Sequence, residues 1–156
     1  MSQPETAVRI VTAADAAVLD RLADDVFDHP VQPALLAAFL ANPSNLLAVA
    51  LSDEVVVGMA SGIAYVHPDK PLQLFVNEVG VSARFHRRGI GTRLLRALLE
   101  HARALGCTEA WVVTEDENRA ARALYGSIGG VEQAERAAVF EFALADARAT
   151  DGDSGR

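Results

Sequence analysis

The chain has 156 residues, 51% of them hydrophobic, with a formal net charge of −7 and one cysteine. That length suits one domain with a sizeable core, and that apolar content excludes a disordered chain. The acidity argues against a nucleic-acid partner, because phosphate binding needs a basic surface, and the lone Cys107 excludes an intrachain disulfide or a cysteine-based metal cluster.

Val8 to Val11 alternates weakly and reads as a first strand. Thr12 can cap a helix from Ala13 to about Phe27, with Asp15 in its first turn and Val18, Leu19, Leu22 and Val26 on one face. Asp28-His29-Pro30 breaks it, because proline restricts the residue before it. A short helix is predicted over Pro33 to Ala41, closed by Asn42-Pro43. Strands follow at Leu46 to Leu51 and Val55 to Tyr65, joined by a turn at Ser52-Asp53-Glu54, and Gly58 and Gly62 mark a bulge or bend in the second. His67 to Pro71 reads as a loop, and Leu72 to Val81 as a central strand, apolar on both faces. Gly89 to Leu105 is the clearest helix. Its apolar face carries Ile90, Leu94, Leu95, Leu98, Leu99, Ala102 and Leu105, and Gly106 ends it. A strand over Glu109 to Val113, a helix capped by Asn118 and running to Ile128, a stop at Gly129-Gly130 and a last strand over Val139 to Leu144 complete the order. The fold class is mixed α/β, one domain over residues 1–144, with a tail over 145–156 expected to be disordered.

The strongest chemical signal is Val79-Gly80-Val81, five residues, then Arg87-Arg88-Gly89-Ile90-Gly91-Thr92 at a helix start. Glycines allow close backbone approach, and a helix's first turn has unpaired N–H groups and a positive dipole end. Together with two arginines this makes a diphosphate site. A Walker loop would need Gly-Lys-Ser/Thr, which is absent, and a dinucleotide fingerprint would need a third glycine where Leu94 stands. A purely structural strand-to-helix turn is the bland alternative.

Downstream stands Asn118-Arg119-Ala120-Ala121-Arg122-Ala123-Leu124-Tyr125, then Gly129-Gly130. With that pattern the chain resembles the Gcn5-related N-acetyltransferase superfamily, over nearly its whole length and most closely from Asn77 to Val131. The resemblance implies a mostly antiparallel central sheet with splayed central strands and helices on both faces. It implies acetyl-coenzyme A as cofactor, its pyrophosphate on His86-Arg87-Arg88-Gly89-Ile90-Gly91. His86 departs from the family's usual Gln or Arg. The pantetheine arm is expected beside the backbone of Val79 and Val81, with Asn118 and Ala121 near the cofactor. Tyr125 matches the tyrosine that often protonates the departing thiolate; without the pattern it would read as core.

Attack of an amine on a thioester also needs an oxyanion donor, expected at a backbone N–H near Val81, and a base. Glu78 sits in an apolar run, where burial would raise its pKa, and is the candidate base. Its alternative is a solvated strand end. His29, between the first two helices, is a second candidate, set against a plain turn residue. Asp28, His29, Glu78, Glu115 and Asp116 are the candidate amine-binding residues; acids after a strand can equally serve the dipole of the next helix.

Val57-Gly58-Met59-Ala60, Asn77-Glu78-Val79-Gly80-Val81 and Ala120-Ala121-Arg122-Ala123-Leu124-Tyr125 give a closer likeness to small aminoglycoside 3-N-acetyltransferases, which implies the 3-amino group of a deoxystreptamine ring as acceptor. The acidic chain suits a small cationic amine. Another small amine or a protein amine is the alternative, and a non-catalytic coenzyme A-binding module is a further one. No apolar run approaches a membrane span, and Met1 to Thr6 lacks a signal peptide's regions, so the expected place is the cytoplasm. Members of the superfamily often dimerise, which leaves a homodimer open.

Overall fold

The computed structural model describes residues 5–145. The expected tail therefore lies outside the described residues, Ala145 excepted. Five strands form one sheet in the order β1 (Ala7–Ile10), β2 (Asn45–Ser52), β3 (Val55–His67), β4 (Lys70–Val81) and β5 (Glu109–Val112). The first three pairings are antiparallel and β4–β5 is parallel. The parallel step needs a crossover, which helix α2 (Ile90–Ala104) supplies.

Each face of the sheet has its own core. Leu46, Ala48 and Ala50 of β2 alternate onto the face that α2 covers with Ile90, Leu94, Leu95, Leu98 and Ala102. Leu47 and Val49 point the other way, toward Leu19, Val26, Val56 and Met59. Complete burial of side chains such as Leu94 and Leu98 stabilises the fold by about 1.5–3 kcal/mol each. Helix α1 (Pro33–Ala41) lies on the second core through Leu36, Phe39 and Leu40, yet buries no residue completely and leaves Leu35 exposed.

Three expectations fail. The helix expected over Ala13 to Phe27 is a 3₁₀ helix over Ala13–Asp20, after which Leu22 alone bridges β3, at Val56, and the chain turns at Asp24–Asp25. The Val56 N–H donates to the Arg21 carbonyl at 2.8 Å, and the Ala23 N–H donates to the Val56 carbonyl at 2.9 Å. Those long-range bonds satisfy the backbone without a helix, while Leu19 and Val26 still reach one core. The loop expected at His67 to Pro71 is a tight reversal, since His67 pairs with Lys70 across Pro68-Asp69. Val139 to Leu144 forms no strand, and Phe140 and Phe142 are about 80% exposed. Alternation supplies an apolar face but no ladder partner. The chain before it is tied to the head of helix α3 (Arg119–Ser127) by Arg122–Glu132 and Arg136–Asp116 ion pairs.

The sheet opens where β4 outruns β5. The two strands pair only from Gln73 to Val76, so Asn77–Val81 has a free edge on that side. The register with β3 slips between Ser61 and Gly62, which leaves Asn77 as the extra residue of a bulge. Gly62 stands at that slip; a β-carbon there would meet the Phe75 carbonyl oxygen at 2.7 Å.

Candidate active site

Two candidate half-sites meet at the end of β4. The candidate cofactor half begins at the turn from β4 into α2. Gly89 caps α2 in the left-handed region, at φ 70°, and no side chain caps the helix. The N–H groups of its first turn therefore remain available to an anion. Arg87 also has a positive φ, of 62°, and Arg88 sits 4.8 Å above the Phe85 ring. A β-carbon at Gly91 would lie 3.4 Å from the Leu124 side chain and 3.9 Å from that of Val81. The head of α2, the helix α3 and the end of β4 thus converge, with Gly91 between Leu124 of α3 and Val81 of β4. Asn118 caps α3 by accepting the Ala121 N–H at 3.0 Å. The His86 ring bonds the Val81 carbonyl at 2.7 Å, so the residue that departs from the family pattern braces the turn.

Tyr125 lies on α3, partly buried against the α2-side core. Burial first, then the charge of Glu115, pushes its phenol pKa up, which keeps it protonated at neutral pH. Gly130 donates its N–H to the Tyr125 carbonyl at 2.9 Å and ends the helix. A β-carbon at Gly130 would lie 2.7 Å from that oxygen, so glycine is required there.

The candidate acceptor half is a cavity of about 350 Å³. Its lining includes Glu78, Asn77 and Ser61 from the sheet, Asp28, His29 and Pro30, and the apolar Phe27, Leu35, Leu36 and Phe39. Asp28 and His29, distant in sequence from Glu78, therefore share one space with it. Glu78 has its carboxyl pKa raised, chiefly by burial and then by the charge of Asp28. Glu115 and Asp116 are not among the lining residues: the Asp116 carboxylate pairs with Arg136 at 3.4 Å, and that of Glu115 lies at 3.4 Å from the Thr114 hydroxyl. Acids after a strand read as ligand-binding from their position, but this loop turns toward α3. His67 stacks edge-on with Tyr65 and His101 lies on α2, both away from the cavity. The apolar walls from Phe27 to Phe39 went unread in the sequence, since their spacing alone signals core.

An open strand edge, a glycine-led helix start beside a third helix, and a carboxylate-bearing cavity are the features that a coenzyme A-dependent N-acyltransferase of the splayed-sheet class would require. The Acetyltransferase (GNAT) family model matches residues 16–129, and the chain belongs to that family. It is an acetyl-CoA-dependent N-acetyltransferase. N-alpha-acetyltransferase RimI of Mycobacterium tuberculosis (strain ATCC 25618 / H37Rv) is 35% identical over 156 residues, covering 99% of this chain and 96% of that protein. Human N-acetyltransferase 8 is 35% identical over 95 residues, 59% of this chain and 41% of that protein. An aminoglycoside acetyltransferase from an uncultured soil metagenomic sample, in complex with sisomicin, superposes with a TM-score of 0.75 at 19% identity, covering 90% of this chain and 97% of that one. Aminoglycoside N-acetyltransferase AAC(6')-Iy in complex with CoA gives 0.70 at 20%, with the same coverage. At these identities the two structures share the fold with this chain.

Proposed function

We propose that the acceptor is the α-amino group of a polypeptide, held beside Glu78 with its first side chain against the apolar walls. The cavity carries this reading: two carboxylates, Asp28 and Glu78, among Phe27, Leu35, Leu36 and Phe39. That mixture suits one cation attached to an apolar side chain. A full-length likeness to an N-alpha-acetyltransferase supports the same acceptor.

In this reading Asp28 and Glu78 first pair with the ammonium. Glu78 then takes its proton, directly or through water, because a raised carboxyl pKa makes it the stronger base. A backbone N–H near Val81 faces the charge developing on the thioester oxygen. Tyr125 returns a proton to the leaving sulfur. Arg87, Arg88 and the first turn of α2 hold the pyrophosphate, and acetyl-CoA supplies the activated acyl group.

A deoxystreptamine aminoglycoside, acetylated at the 3-amino group, is the second reading. The same pair of carboxylates and the net charge of −7 favour it. Thiol release from acetyl-CoA, measured across free and N-terminally blocked peptides, aminoglycosides and polyamines, decides between them. Turnover on free N-termini and none on blocked peptides is expected. Turnover confined to aminoglycosides would move the acceptor to the second reading. Thermal stabilisation by acetyl-CoA with no release on any amine would leave a binding module.

A further inference from the structure

Asp25 has no part in the chemistry above, yet it touches the cofactor half of the site. Its Oδ2 accepts the Ala83 N–H at 2.8 Å, across 58 positions of sequence. Ala83 opens the turn that leads from β4 into the glycine-led start of α2. Asp25 itself lies in the turn at Asp24–Asp25, which leads into Phe27 and Asp28, two lining residues of the acceptor cavity. One residue further on, the Val26 carbonyl packs so closely on β4 that a β-carbon at Gly80 would lie 2.5 Å from its oxygen. The segment is thus fastened on both sides of its turn: by Ala23 and Arg21 to Val56, and by Asp25 to Ala83.

We infer that Asp25 is a positioning residue that couples the two half-sites, so that acetyl-CoA settling on the β4–α2 turn orders the segment that carries Phe27 and Asp28. This rests on the placement of acetyl-CoA along Val79–Thr92 and of the amine beside Glu78. The bond is a charge-assisted one: the Ala83 N–H, then the Ser82 hydroxyl, hold the Asp25 carboxyl below the usual carboxylate range, so it is ionised at neutral pH. The exposed setting of Asp25 places the effect at the weak end of site-to-site coupling, a change of about 5–10-fold. Coupling is reciprocal, so the acceptor tightens the cofactor by the same factor.

The test compares wild type with Asp25→Ala and Asp25→Asn. Backbone hydrogen exchange is followed with and without coenzyme A, together with KM and kcat for the best peptide acceptor. Coenzyme A is expected to slow exchange both in residues 87–92 and in residues 22–28 of wild type. Asp25→Ala should keep the first protection and lose the second, with acceptor KM raised about 5–10-fold and kcat nearly unchanged. Asp25→Asn should recover part of both, since its amide oxygen can still accept the Ala83 N–H. Equal protection of residues 22–28 in Asp25→Ala, or an unchanged acceptor KM, overturns the coupling alone. No protection of residues 87–92 in wild type overturns the cofactor placement, and the coupling with it.

Discussion

Replacing Gly80 by alanine tests how the acceptor segment sits on the sheet. The new β-carbon would meet the Val26 carbonyl oxygen at 2.5 Å, and the carbonyl carbon at 3.6 Å. An ordinary carbon–oxygen contact is about 3.4 Å, so strand or segment must move by about 0.9 Å. Both partners are backbone, and no rotamer relieves them. Overpacking of this kind costs about 1–3 kcal/mol. At about 2–4 °C per kcal/mol for a chain of this size, Gly80→Ala should melt about 2–12 °C lower. Displacement of Val26 carries Phe27 and Asp28 with it, so acceptor KM should rise. Gly126→Ala is the control, because nothing lies within 4 Å of its β-carbon and it sits within α3. Calorimetry and initial rates measure both effects. A Gly80→Ala protein with the wild-type melting point and acceptor KM would refute the close approach of Val26.

Three further outcomes are expected. Gly91→Asp places bulk against Leu124 and negative charge at the uncapped start of α2, and should abolish measurable coenzyme A binding by titration calorimetry; unchanged affinity would remove the diphosphate from that turn. Tyr125→Phe should lower kcat about 10²–10⁴-fold with cofactor affinity nearly intact, and a wild-type rate with chemistry limiting would make Tyr125 a packing residue. Glu78→Gln should raise the melting temperature at alkaline pH. The raised folded pKa of Glu78 means that its stabilising protonated form is fully present below the unfolded value and is lost as pH rises through the folded one. The difference in melting should therefore vanish in acid, and a difference that persists there would refute the sign.

Much of this was written in local pattern. The helix Ile90–Ala104 follows from its 3.6-residue apolar repeat, and Pro33–Ala41 is bounded by Pro33 and Asn42 as read. The glycine-led start of α2, Asn118 as a cap and the position of Glu78 on β4 were equally local. What escaped depends on distant partners. The segment after Asp20 abandons helix because Val56 offers its backbone, which no spacing between Val18 and Val26 reveals. The Asp25–Ala83 bond and the shared cavity of Asp28 and Glu78 arise only once the sheet is assembled. Val139 to Leu144 failed the other way, with a strand's alternation and no strand beside it.

In the proposed reaction an amine loses its proton to Glu78 beside an acetyl-CoA held on β4 and α2. The most direct measurement is the pH dependence of kcat/KM for thiol release with a free N-terminal peptide, in wild type and Glu78→Gln. Wild type should show an acid-side limb at a pKa above that of an ordinary glutamate, since burial and Asp28 raise it. Glu78→Gln should lose that limb and about 10²–10⁴-fold in rate while still binding coenzyme A. A variant that keeps both the rate and the limb would contradict the claim.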